Sequence, residues 1–212
     1  MSASPGHRPQ LRPSGPRPNW FVGLPLPASA GWGIGAESLG VTLRPLASDD
    51  LHITVAFLGA CGEARALSGW RALAPLRHPP IAITARAWRG FGPRRNPSAF
   101  GLTLDEGEPR LVEMIRRWRE AILRAAGRPP DGRDPLPHVT LARPPRRSGA
   151  AERSRIGRLL VDLPVPPDPI VLASLALYTW ADDRRQRQFR VVVSRPLDGA
   201  HSSEAGPGTQ PP

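Results

Sequence analysis

Two short stretches of the chain each place a histidine two residues before a threonine. "DLHITVAFLG", residues 50–59, carries His52 and Thr54; "LPHVTLAR", residues 136–143, carries His138 and Thr140 close to Arg143. Both stretches alternate as strands do, and a period of two puts each histidine and its threonine on one face. In the first, Leu51, Ile53, Val55 and Phe57 fall on one face and His52, Thr54 and Ala56 on the other. An imidazole with an ordinary pKa near 6.5 can take or give a proton at neutral pH. Two facing imidazoles in opposite states suit a displacement at a tetrahedral centre, one activating the nucleophile and one protonating the leaving group. A threonine hydroxyl on the same face can donate to a phosphoryl oxygen, and a nearby guanidinium balances charge as the transition state forms. The combination predicts phosphoester chemistry without a metal. Strict alternation puts Arg143 opposite His138, so it joins them only if the strand bends before Pro144.

Other chemistries lack their residues. There is no glycine-rich phosphate loop ending in Gly-Lys-Ser or Gly-Lys-Thr, no Gly-x-Ser-x-Gly elbow and no Cys/His spacing of a zinc site. His52 and His138 could share a metal with Asp49, Asp50 or Asp134, but threonine is a poor ligand, so no metal and no cofactor is expected. Cys61 follows "FLG" with no histidine close in sequence and reads as a small residue at a turn. His7, His78 and His201 lie in tails or a loop without such partners.

The elements that must hold the two motifs follow from periodicity. "NWFVGLPLP", "PIAITARAW", "SAFGLTL", "PIVLASLALYTW" and "QFRVVVSRPL" read as further strands. "GEARALSGWRALAPL" and "GAAERSRIGRLLVDL" read as short helices. Residues 108–126 form the clearest helix, with Leu111, Met114, Ile115, Trp118, Ile122 and Leu123 on one stripe; "GFGPRRNP" and "RPPDGRDPLP" read as loops. The order repeats weakly. His52 and His138 lie 86 residues apart; Ile81 and Ile170, and Phe100 and Phe189, lie 89 apart. Two similar lobes, each presenting one His-x-Thr strand to a central cleft, are expected.

Composition sets the bounds. The 212 residues suffice for one domain or two small lobes. No apolar run approaches the ~18–20 residues of a membrane span, and one cysteine fits a reducing compartment, so a cytoplasmic location and no membrane partner are expected. The net charge is +11, and all 29 basic residues are arginine, a surplus that favours phosphate-bearing partners. Residues 1–18 and 198–212 are rich in Pro, Gly, Ser and charge, which predicts disordered tails around a folded part spanning 19–197.

The paired "HITV" and "HVTL" resemble the two His-x-Thr-x motifs of the 2H phosphoesterase superfamily. Within it, "FVGLPLP", "LHITVAFLG", "PHVTLARPP" and "LALYTW" follow the order seen in the RNA 2′,3′-cyclic phosphodiesterases, also called 2′-5′ RNA ligases. The resemblance implies a bilobal α+β fold with two antiparallel-rich sheets around a basic cleft and helices outside. It also implies a monomer that acts on 2′,3′-cyclic phosphate ends of RNA or nucleotides. In that reading His52 protonates the leaving oxygen, His138 activates water, and Thr54, Thr140 and Arg143 hold the phosphate. Ligation in the reverse direction, or RNA-end binding without catalysis, are the alternatives. Phe189 and Phe100 stand where such proteins often carry Tyr and Trp, and are read as packing residues or as contacts to a base.

Overall fold

A computed structural model describes residues 17–33 and 42–198. The two expected tails lie outside this range except for Arg17, Pro18 and Asp198. Ten strands and three helices follow one another as β1 (Trp20–Pro25), β2 (Arg44–Pro45), β3 (His52–Gly59), α1 (Glu63–Arg71), β4 (Ile81–Ile83), β5 (Ala85–Phe91), β6 (Ala99–Leu104), α2 (Glu108–Ala125), β7 (His138–Arg143), α3 (Ala150–Val161), β8 (Ile170–Leu172), β9 (Ser174–Trp180) and β10 (Phe189–Pro196). The class is α+β, as the resemblance implied.

Two antiparallel halves make up the large sheet. One has the order β10-β9-β1-β3; the other has β7-β6-β5, with β2 added along β7. They meet where Ile53 of β3 pairs with Val139 of β7. Below them β4 and β8 pair antiparallel, Ile81 with Leu172, Ala82 with Val171 and Ile83 with Ile170. The central pair, Ala82 and Val171, is 89 apart in sequence, and the other two lie symmetrically about it. The two His-x-Thr strands likewise pair antiparallel, through Ile53 and Val139.

Two expectations are corrected. "PIAITARAW" and "PIVLASLALYTW" are each two strands, not one. The breaks fall at Thr84 and Ala173, whose carbonyls accept Asp105 N and Leu197 N. Ile81–Ile83 and Ile170–Leu172 pair with each other outside the large sheet, and the residues after each break return to it. The match of Phe100 to Phe189 does not hold in space either. β6 lies beside β7, but β10 lies at the far edge beyond β9; the place beside β3 belongs to β1.

The helices cover the face opposite the histidines. α2 buries Leu111, Met114, Ile115, Ile122 and Leu123 and packs on β3 and α1. Gly69 permits the close approach of α1, since a Cβ there would sit 3.1 Å from Ile122 O. Ile53 and Val139, facing this core, are wholly buried. The residues on either side of them in sequence must therefore face the other way.

Candidate active site

β3 and β7 run antiparallel with Ile53 opposite Val139. The neighbours of that pair, His52 and Thr54 on β3 and His138 and Thr140 on β7, come together on the other face of the sheet. All four are part-exposed and line one cleft of ≈ 680 Å³ with Arg143, within the range of small-ligand sites.

Arg143 reaches this face through a β-bulge. Phe100 pairs with Ala142 and Gly101 with Thr140, so Leu141 is the extra residue on β7. Alternation is interrupted there: Leu141 and Ala142 are both buried, and Arg143 returns to the side of His138. β3 has the same device. Val22 pairs with Ala56 and Gly23 with Thr54, leaving Val55 as the extra residue. Phe57 therefore opens to the cleft, 56% exposed, instead of joining Ile53 and Val55, while Ala56 is buried. The simple alternation expected for β3 fails at this point.

The neighbouring strands meet both bulges with glycine. A Cβ on Gly101 would lie 1.9 Å from Val139 O, and one on Gly23 would lie 2.9 Å from Ile53 O. Real Cβ atoms do not approach so closely, so β1 and β6 reach the His-x-Thr strands only as glycines.

Both rings are oriented alike. His52 Nδ1 lies 2.6 Å from Asp50 O, and His138 Nδ1 lies 2.7 Å from Leu136 O. A carbonyl only accepts, so each Nδ1 carries a proton and donates it. Each Nε2 is left for the cleft, as a base when the ring is neutral and as a donor when it is charged. Aromatic contacts complete the seats. His52 stacks on Phe21 at 4.5 Å with the edge of Phe189 at 5.5 Å, and His138 stacks on Phe91 at 3.9 Å. Tyr178 stacks behind Phe21 at 4.7 Å. Beside β7 the position opposite Phe91 is Ala99, which leaves room for Phe91 to reach His138.

Burial lowers the His52 imidazole to about 4, against the help of the Asp50 carbonyl; the charges of His138 and Arg143 push the same way. His138 is also lowered, by burial first and then by Arg89, despite its bond to Leu136. Both shifts favour the neutral ring at pH 7, and a bound anion would favour returning a proton.

Asp50, weighed above as a metal partner, has another role. Its buried carboxylate accepts Gln188 N at 2.6 Å and Phe189 N at 2.9 Å, tying the start of β10 to the turn before His52. Asp134 pairs with Arg116. Among the described residues no group of three or more His, Cys, Asp or Glu could hold a metal ion. Burial raises the Cys61 thiol, which makes it a poorer nucleophile. Phe100 is fully buried and packs, whereas Phe189 lines the cleft. Sequence reading missed Phe21, Phe91 and Arg44 as cleft residues. "GFGPRRNP" looked like pure loop, and the three partners come from distant strands.

No family model matches the chain, and no curated protein matches it by sequence. Solved structures do match. E. coli LigT complexed with 3′-AMP has a TM-score of 0.62 and 20% identity over 84% of this chain and 97% of that one. TT0787 of Thermus thermophilus has a TM-score of 0.58 and 21% identity, covering 86% and 100%. Kluyveromyces marxianus Usb1 gives 0.52 and 13%, covering 85% and 97%. The chain shares the fold of these neighbours. Among the described residues no helix is long and apolar enough to cross a membrane.

Proposed function

We propose that the chain is a 2H phosphoesterase that opens RNA 2′,3′-cyclic phosphate ends by hydrolysis to 2′-phosphomonoesters, without a metal. The observation that carries the reading is that both His-x-Thr pairs line one cleft, His52 with Thr54 and His138 with Thr140, with both Nδ1 atoms held by carbonyls and both Nε2 atoms left for substrate. LigT, a structural neighbour, was solved with 3′-AMP, which supports a nucleotide in the cleft.

In this mechanism His138 Nε2 takes a proton from water. The water oxygen bonds to phosphorus and the bond from phosphorus to the 3′ oxygen breaks. His52 Nε2 gives its proton to that oxygen, so the product carries a 2′-phosphate and a 3′-hydroxyl. The threonine hydroxyls and Arg143 donate to the non-bridging oxygens, where charge grows. With the ring neutral at pH 7, His52 Nε2 carries no proton, so it must be charged together with substrate binding, when the phosphate anion stands beside it. A 5′-hydroxyl in place of water would give ligation by the same route.

Changing the leaving group tests the division of labour. In His52→Ala, an activated aryl phosphodiester, which needs no protonation on leaving, should recover much of the lost rate. In His138→Ala it should recover little. A larger recovery in His138→Ala reverses the two roles; substitutions that leave both substrates at wild-type rates remove the histidines from the mechanism.

A further inference from the structure

Five arginines line the cleft: Arg133, which is paired with Asp131, and Arg44, Arg143, Arg146 and Arg184. Arg44 and Arg143 are directly paired across β2 and β7, and like charges in that position destabilise a sheet. Arg44 Nε donates to Pro144 O, which keeps its stem along β7. Arg146 follows in the next turn, and Arg184 lies 4.3 Å over the Trp180 ring while donating to Gln188 Oε1. Among the described residues none of the last four forms an ion pair with a carboxylate. Burial first, and then repulsion from Arg146 and Arg153, lowers Arg44; burial first, and then repulsion from Arg44 and Arg184, lowers Arg143.

A cyclic phosphate carries a single negative charge. Thr54, Thr140 and Arg143 already serve it in the reading above, so the other three of those four arginines exceed its needs. We propose that Arg44, Arg146 and Arg184 form a second phosphate subsite, which holds the phosphodiester on the 5′ side of the terminal nucleotide. The inference rests on the proposed function and narrows its substrate to RNA chains over free cyclic nucleotides. Arginine suits the task, since its planar fork meets phosphate through two donors.

The test compares three substrates: a nucleoside 2′,3′-cyclic phosphate, the same compound with a 5′-phosphate, and a short RNA ending in the cyclic phosphate. Wild-type protein should favour the second and third over the first by about tenfold or more in kcat/KM, mainly through KM. Arg44→Gln, Arg146→Gln and Arg184→Gln together should collapse that ratio toward one. A wild-type ratio near one, or a ratio that the triple variant leaves intact, overturns the subsite. Binding is measured separately with a fluorescent RNA tetramer ending in 2′-phosphate, which is not turned over. Its log affinity should fall with log salt, and the slope should shrink by about 0.7 for each phosphate contact the variant loses. If the wild type opens no cyclic phosphate, the functional reading fails. The binding arm then still decides the subsite: an unchanged salt slope in the triple variant overturns it, and a reduced one supports it.

Discussion

The lowered His52 imidazole makes a prediction about stability that needs no substrate. In an unfolded chain the ring titrates near 6.5; in the folded protein burial holds it to about 4. Between those values the unfolded chain binds more protons, so acid favours unfolding. The contribution of the neutral ring is fully present above pH 6.5 and is lost as pH falls toward 4. At about 1.4 kcal/mol per pH unit the interval amounts to roughly 3 kcal/mol, a sizeable part of a typical domain's stability. His138 contributes with the same sign, through its own burial. Urea unfolding of wild type and His52→Asn at pH 7.5 and pH 4.5 isolates the effect. Carboxylates such as Asp131, held low at about 2 by Arg133, titrate in both proteins and cancel in the comparison. Wild type should lose about 2–3 kcal/mol more than the variant between the two pH values. Equal losses, or a wild type that gains stability in acid, would refute the claim that burial keeps the ring neutral.

Activity should follow the same groups. The profile of kcat/KM, which reports the free protein, should be a bell with its maximum between about 4 and 6.5; that of kcat should peak at higher pH, because bound phosphate favours the imidazolium. A kcat/KM maximum at or above pH 8 would contradict this. Gly101→Ala should cost about 1–3 kcal/mol of stability and most of the activity, since the new Cβ would meet Val139 O at 1.9 Å and push β7 from its place. Thermal melting and steady-state rates check it, and a variant matching wild type in both would show that β6 can move away freely.

The chemistry of the site could be read from its residues because one strand holds each His with its Thr, and a period of two does the rest. The path to Arg143 and Phe57 could not. Val55-Ala56 and Leu141-Ala142 look like ordinary apolar pairs, and their bulges are met by Gly23 and Gly101 on other strands. The repeat misled at β10 for a related reason. Similar apolar strings mark strands but not their neighbours, and the "FVGL" of β1, not β10, stands where "AFGL" stands beside the other motif. Asp50 could be weighed from the sequence only as a metal partner of the histidines. Its partners are backbone amides nearly 140 residues away, which carry no signature in side-chain type.

Hydrolysis with identification of the product tests the central claim most directly. Wild type, His52→Ala and His138→Ala are incubated with an RNA ending in a 2′,3′-cyclic phosphate, in EDTA, and the products are followed by phosphorus NMR. Wild type should convert the cyclic resonance to a 2′-phosphomonoester, and each variant should be slower by roughly 10²–10⁴-fold with its circular dichroism unchanged. A cyclic phosphate that stays intact, a 3′-phosphomonoester product, or folded variants that act as fast as wild type would contradict it.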